Sequence, residues 1–415
     1  MMAKKMKESG LFWIKKIPDN WVIKKVKYVS KFKAGVGHEG EWDFEGEYII
    51  VNSRFVSTNG HTKKYTDVAH ALLNIGDICI VLSDLPNGRA LSRCYYIERS
   101  NKYTLNQRVG AFYDYSMNGK YFYYIMDRNY GLLKYDDGLN QTNLQYNNVL
   151  NCPIIVPPIQ EQQKIADYLD KKCTEIEDLK TDIQSQIDIL EDYKKSVITE
   201  TVTKGLNPNV EKKDSGIEWV GLIPKHWKTI RGKYILKLLS KSVKEDDGVI
   251  TCFRDGEVTL RSNRREDGFT MSDKEIGYQG IDVGDLVVHG MDGFAGAIGI
   301  SDSRGKASPV LNVLDTIQNK KYIMYYLRSM AYSDVFTAIA TGIRVRSCDL
   351  RWNKLAELFY PIPSKKEQAE IVAYIDKKIL DTNNLIESKK EQLDILEQYK
   401  KSLIYEYVTG KKEVK

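Results

Sequence analysis

The chain is poor in the residues that build metal sites and disulfide frameworks: of 415 residues, five are His and six are Cys. Cys79, Cys94, Cys152, Cys173, Cys252 and Cys348 are scattered with no Cys-x-x-Cys pair, so neither a zinc site nor a disulfide scaffold is expected, and the thiols should be reduced. His38, His61, His70, His226 and His289 fall at no metal-ligand spacing, so no bound metal is expected. No run approaches the ~18 consecutive apolar residues that a membrane span requires. The basic stretch Met1 to Lys7 leads into no apolar segment, so no secretory signal is predicted and a cytoplasmic location is expected. Charge of one sign is also lacking. Sixty-two basic residues face 56 acidic ones, a net of +6, so any binding of nucleic acid must come from local basic patches rather than bulk charge.

Catalytic motifs are missing as well. There is no Gly-x-x-x-x-Gly-Lys phosphate loop, and Gly305-Lys306 runs into Ala307. The only Pro-Pro pair, Pro157-Pro158, is followed by Ile159 and not by the aromatic residue of a methyltransferase tetrapeptide. Gly35, Gly37 and Gly40 match a dinucleotide fingerprint, but Glu41-Trp42-Asp43-Phe44 follows where an apolar helix should, so a turn is predicted.

What the chain does have is a tandem repeat, the first feature to seek because it fixes the architecture. Trp13, Ile17, Pro18 and Trp21 recur as Trp219, Ile223, Pro224 and Trp227, at a constant offset of 206. At the same offset Glu161 to Thr203 aligns without a gap on Glu367 to Thr409, with 21 of 43 positions identical. Between these ends the sequences diverge, apart from Gly76-Asp77, Asp84 and Gly88, which echo Gly284-Asp285, Asp292 and Gly296. A kept frame with changed contents is what results when the frame is structural and the contents read different things.

Leu169, Ile176, Ile183, Leu190 and Val197 recur every seven residues, flanked by Ile165, Leu179, Ile187 and Tyr193, with no Gly or Pro until Gly205, which predicts a long helix; Ile371, Ile375, Ile379, Leu385, Ile386, Leu393, Leu396, Tyr399 and Leu403 predict its counterpart. At ~1.5 Å per residue each rod is about 60 Å long, and two apolar stripes most simply bury each other as an antiparallel pair. The fold expected is therefore α/β (α+β): a first body over 1–158, a central helix over 159–204, a second body over 205–363 and a C-terminal helix over 364–415. Ile78 to Leu82 and Leu286 to His289 predict buried strands after a turn, Tyr121 to Met126 is ambiguous, and Tyr322 to Arg328 leans helical.

The Ser-Gly-x-x-Trp-x-x-x-Ile-Pro-x-x-Trp opening, the Glu-Gln at each helix start and the Leu-Glu-x-Tyr-Lys-Lys-Ser signature, duplicated in order across the chain, resemble the specificity (S) subunit of type I restriction-modification systems. The resemblance implies two target recognition domains, each reading one half of a bipartite double-stranded DNA site, joined by two conserved helices. It also implies that this chain is non-catalytic and binds no cofactor itself. Partners would do the chemistry: DNA methyltransferase (M) subunits, two in number, using S-adenosylmethionine, and restriction/translocase (R) subunits using ATP and Mg. One departure is the proline placement, Pro157-Pro158 against Pro361 and Pro363, which leaves the helix start undefined.

Base reading needs Arg, Lys, Asn and Gln that reach base edges, with others gripping phosphate. In the first body the candidates are Lys63, Lys64, Asn87, Arg89, Arg93, Lys102 and Arg108. In the second they are Arg261, Asn263, Arg264, Arg265, Arg304, Lys306, Arg344 and Arg346. The Arg261 to Arg265 cluster stands out, because so many guanidinium groups in five residues pack poorly except against an anion. Any one of these residues could equally be a solvated surface charge. Trp13, Trp21, Trp219 and Trp227 are expected to be packing anchors that fasten each body to the other repeat's helix, and Lys194-Lys195 and Lys400-Lys401 to be solvated. Two other readings stay open: a recognition subunit of a different restriction-type system, and a coiled-coil scaffold that reads no DNA.

Overall fold

Two uninterrupted helices, Ile159–Lys204 and Lys365–Val408, carry the frame of the computed structural model, which describes residues 5–84, 90–99, 102–136, 141–264, 276–338 and 350–414. Both start at the same place in the repeat. Gln162 Nε2 donates to Pro157 O (2.8 Å) and Gln368 Nε2 to Pro363 O (3.0 Å), so the second proline of one copy and the serine of the other are interchangeable at the first turn. Glu161 and Glu367 lie in that turn, where a carboxylate opposes the positive end of the helix dipole. No described helix is long and apolar enough to cross a membrane.

The chain forms two compact units, Met1–Asp182 with Gln392–Lys415, and Ile183–Glu391. Each unit thus holds the start of one long helix and the end of the other. In the first unit the two run antiparallel, with Glu177 paired to Lys400 (2.8 Å) and Lys180 to Glu397 (2.9 Å). In the second, Lys194 Nζ donates to Asn383 Oδ1 (2.9 Å) and Lys389 to Gln186. Lys194 and Lys400 are therefore cross-links between helices and not the solvated charges expected from sequence. Both charges of the Glu177–Lys400 pair are partly exposed, so Glu177→Gln is expected to cost less than about 1 kcal/mol, and that loss should shrink in thermal melts at high salt.

The two bodies share a plan despite their sequences. A four-stranded antiparallel sheet in the first unit has the order Lys31–Ala34, Val109–Tyr113, Ile78–Val81, Cys94–Tyr96; in the second it is Leu236–Leu238, Leu311–Thr316, Leu286–His289, Ile298–Ile300. Alternation along the central strand divides each body into two layers. Ile78 and Ile80 join the larger core beside the long helices, whereas Cys79 and Val81 join a smaller core on the far face. Leu286 and Val288 repeat the first role and Val287 the second. Strands buried on both faces read as unbroken apolar runs. The echoed Gly-Asp pair also has a physical cause: Asp77 receives Lys33 (2.7 Å) and Asp285 receives Lys241 (2.6 Å), each tying the strand's start to its sheet. Tyr121 to Met126 proves helical within Gly119–Met126, capped by the Asn118 side chain on Tyr121 N, and Tyr322 to Arg328 lies in the helix Lys320–Tyr332.

Body and helices are joined by the same bonds in each unit. Trp21 Nε1 donates to Glu161 and Trp227 Nε1 to Glu367, both at 2.9 Å. Tyr121 OH donates to Val408 O (3.1 Å) and Tyr322 OH to Val202 O (3.2 Å), the last turns of the other repeat's helix. Those helices end at Gly205 and Gly410 with φ of +74° and +71°. A Cβ there would lie 3.2 Å from Trp227 and 3.1 Å from Trp21, so glycine serves both the left-handed cap and the seat of the ring. Trp21 and Trp227 anchor on their own repeat's helix start and on the other repeat's helix end. Among the described residues, Cys79, Cys94, Cys152, Cys173 and Cys252 are free and buried.

Candidate nucleic-acid interface

The structure sorts the described residues singled out for base reading by what they already touch. In the first unit Lys63, Lys102 and Arg108 are exposed. Lys63 joins Arg99, Tyr95, Tyr103, Asn59 and Glu98 around a recess of about 210 Å³, where two cations outnumber one carboxylate beside aromatic rings, a lining that can meet phosphate and base alike. Lys64 lies over the exposed Trp42 ring at 4.1 Å, which positions its ammonium without neutralising it. Arg93 is turned inward, donating to Ser57 O (3.1 Å) and Asn59 Oδ1 (3.2 Å). Asn87 and Arg89 lie outside the described residues.

In the second unit the strand Ile250–Cys252, paired antiparallel with Val258–Leu260, forms one wall of a cleft of about 790 Å³, lined by Arg254, Arg261, Arg264, Asp255, Asp292 and His289 among others. Three guanidinium groups face two carboxylates there, leaving the lining cationic. Arg264 bonds Asp255 and Glu257 and stacks over Phe253 at 4.2 Å. Burial pushes the Asp255 carboxyl up, but the Arg264 hydrogen bond and the Glu257 amide outweigh it and bring it below its ordinary value. Arg261 Nε reaches Thr251 Oγ1 (3.4 Å), and Asn263 Nδ2 donates to Thr259 Oγ1 (2.9 Å). Lys306 sits on a half-buried strand, its amide donating to Gly248 O (2.8 Å).

Arg304 stands apart from that cleft. It donates through Nε and Nη2 to Asp247 (3.0 and 2.7 Å), through Nη1 to Asp282 (2.6 Å) and also to Ser242 O (2.9 Å). The guanidinium holds the Asp247 carboxyl down to about 2, and Lys241 together with Arg304 does the same for Asp282. Arg265, Arg344 and Arg346 lie outside the described residues. The structure thus brings Arg261 and Arg264 together, places Arg304 in a separate ion-pair network, and adds Arg254 and His289, which sequence reasoning passed over. The missed signal was the Gly-Asp echo, which puts His289 at the sheet position of Val81.

Similarity to known proteins follows the same geometry. Residues 18–188 match the family model of the type I restriction modification DNA specificity domain. The type I restriction enzyme MjaVIII specificity subunit of Methanocaldococcus jannaschii is 22% identical over 423 residues, an alignment covering 96% of this chain and 95% of that protein. A solved structure described as the structural basis underlying complex assembly and conformational transition of the type I R-M system has a TM-score of 0.66 at 11% identity, covering 95% of this chain and 99% of that one. At that identity the likeness is one of fold. The duplicated frame, the matched domain and the near full-length relative make this chain similar to the specificity subunits of type I restriction-modification systems.

Proposed function

We propose that this chain reads a bipartite double-stranded DNA target, one half-site by each unit, and assembles the methyltransferase and restriction subunits that act on it. The observation that carries the reading is the shared sheet order built from unlike residues: one frame presents two different sets of side chains. Exposed Lys63, Lys64, Lys102 and Arg108 in the first unit, and Arg261, Asn263, Arg264 and Lys306 in the second, supply the contacts. The chain contributes recognition, and S-adenosylmethionine, ATP and Mg are handled by its partners. Extrusion of the target base belongs to the methyltransferase, while this chain holds register.

Two methyltransferase copies fit the helices. Leu179, Ile189 and Tyr193 are 51%, 64% and 43% exposed on the first helix, and their repeat equivalents Leu385, Ile395 and Tyr399 are 55%, 64% and 52% exposed on the second. The same apolar triplet offered twice suits two copies of one partner. Replacing Leu179, Ile189 and Tyr193 with lysine should reduce the mass of the purified complex by one methyltransferase, and a complex that keeps both copies would remove these residues from the interface.

The functional test is co-expression with the cognate methyltransferase and single-molecule sequencing of methylated adenine. A split motif is expected, of which only one half changes when residues 205–363 are exchanged for those of a relative. Adding seven residues to each long helix, about 10 Å, should lengthen the unread spacer and leave both half-sites as they were. Partner association without a sequence-specific methylation pattern would instead make the chain a scaffold.

A further inference from the structure

The shared sheet allows the two units to be compared position by position. Val81 pairs with Val109, and His289 pairs with Leu311 at the same place in the second sheet. Val81 is wholly buried in the far-side core. His289 emerges from the same face into the arginine-lined cleft. A polar ring at a position the frame otherwise fills with a buried valine is accounted for by what its two nitrogens bond, since burying a hydrogen-bonding group is costly unless it is used.

The ring is held in one orientation and one tautomer. Nδ1 accepts from the backbone amides of Asp292 (2.9 Å) and Met291 (3.2 Å). Two N–H groups directed at Nδ1 require its lone pair, so the neutral ring carries its proton on Nε2. Burial favours that neutral form by lowering the pKa below its ordinary value. Asp292 is itself fixed by Arg254 at 2.9 Å, which steadies the turn that supplies the amides. Nε2 makes no hydrogen bond within the described residues. The result is a single rigid donor without acceptor capacity, among guanidinium groups able to hold the adjoining phosphates.

We propose that His289 determines specificity in the second half-site, its Nε2–H donating to an acceptor on a base edge. In the major groove such acceptors are purine N7, guanine O6 and thymine O4, whereas cytosine presents an amino donor. The position that His289 reads therefore excludes cytosine on the contacted strand. A Gln or Asn side chain could turn its amide to either partner; the locked imidazole cannot, and that difference gives the site its selectivity. This inference rests on the second unit being a DNA-reading body.

The test uses the chain assembled with its methyltransferase, the target mapped by methylation sequencing, and competition binding with duplexes carrying every single-base change in both half-sites. For His289→Ala, discrimination against cytosine should fall roughly tenfold or more at one position of the second half-site, while preferences across the first half-site stay as in the native complex. An unaltered preference at every position overturns the assignment and leaves the bipartite reading intact. If His289→Ala binds no sequence, His289→Gln decides. Retained binding with a changed preference at one position supports the assignment, and loss of all binding in both variants overturns it by making the ring structural. A native complex with no split motif would defeat the underlying reading itself.

Discussion

Replacing Arg304 with methionine is expected to destabilise the second unit by about 3 kcal/mol at neutral pH, the lower end of what breaking a buried ion pair costs. The Asp247 side chain is only 5% exposed and takes two hydrogen bonds from this guanidinium; without it a carboxylate stays buried and unpaired. The lower end applies because Arg304 is itself 27% exposed, so water recovers part of the loss. The pH dependence has a definite sign. Asp247 titrates at about 2 when folded against an ordinary 3.8, so its contribution is complete above about pH 4 and is lost as pH falls through about 2. The deficit of Arg304→Met in urea melts should therefore be greatest at pH 7 and narrow under acid. Adding Asp247→Leu should return most of the stability, since an apolar pair replaces a charged one at little cost. Undiminished stability together with weaker, less salt-dependent DNA binding would instead place Arg304 on the phosphates.

Arg304 also marks where sequence reading ended. The frame was legible because it obeys periodicities: a heptad of apolar residues over Leu169 to Val197 needs no tertiary information to predict a helix, and a repeated Trp–Glu pairing leaves its offset in the chain. Even there, burial departs from the stripe. Leu169 and Ile176 are buried in the first unit's core and Val197 is buried too, whereas Ile183 and Leu190 in the middle are only partly covered, and Leu179, Tyr193, Leu385 and Tyr399 are exposed. The recognition layer follows no such rule. Arg304 and Asp247 meet across 57 residues, and whether an arginine faces DNA or an internal carboxylate depends on that meeting. Local density of Arg picks out Arg261 and Arg264, which share a cleft, but it gives no weight to His289, which lines the same cleft. The orientation of that ring is set by two backbone amides and its place by a sheet register, neither of which is visible in composition.

The other large effect is expected at the tryptophan anchors. Trp227→Ala should cost about 3–5 kcal/mol, the range for removing a buried aromatic side chain, because the ring is fully buried, lies against Gly205 and Pro224, and closes the joint between body and helices. Trp21→Ala should cost as much in the first unit, where the ring is 1% exposed and faces Gly410 and Pro18. Phenylalanine separates the two parts of the anchor. It keeps most of the apolar packing but removes the indole N–H from Glu367 or Glu161, a bond to a charged acceptor worth about 1.5–3 kcal/mol. The carboxylates are not left bare, since His226 Nε2 bonds Glu367 and Asn20 Nδ2 bonds Glu161, each at 2.9 Å. Trp227→Phe and Trp21→Phe should accordingly lose about 1–2 kcal/mol in denaturant melts, well short of the alanine variants. Equal losses for Phe and Ala would show that the hydrogen bond, and not the seated ring, holds each body to the helices. The frame would then depend on the Glu of the Glu-Gln pair more than on the tryptophan that made the repeat visible.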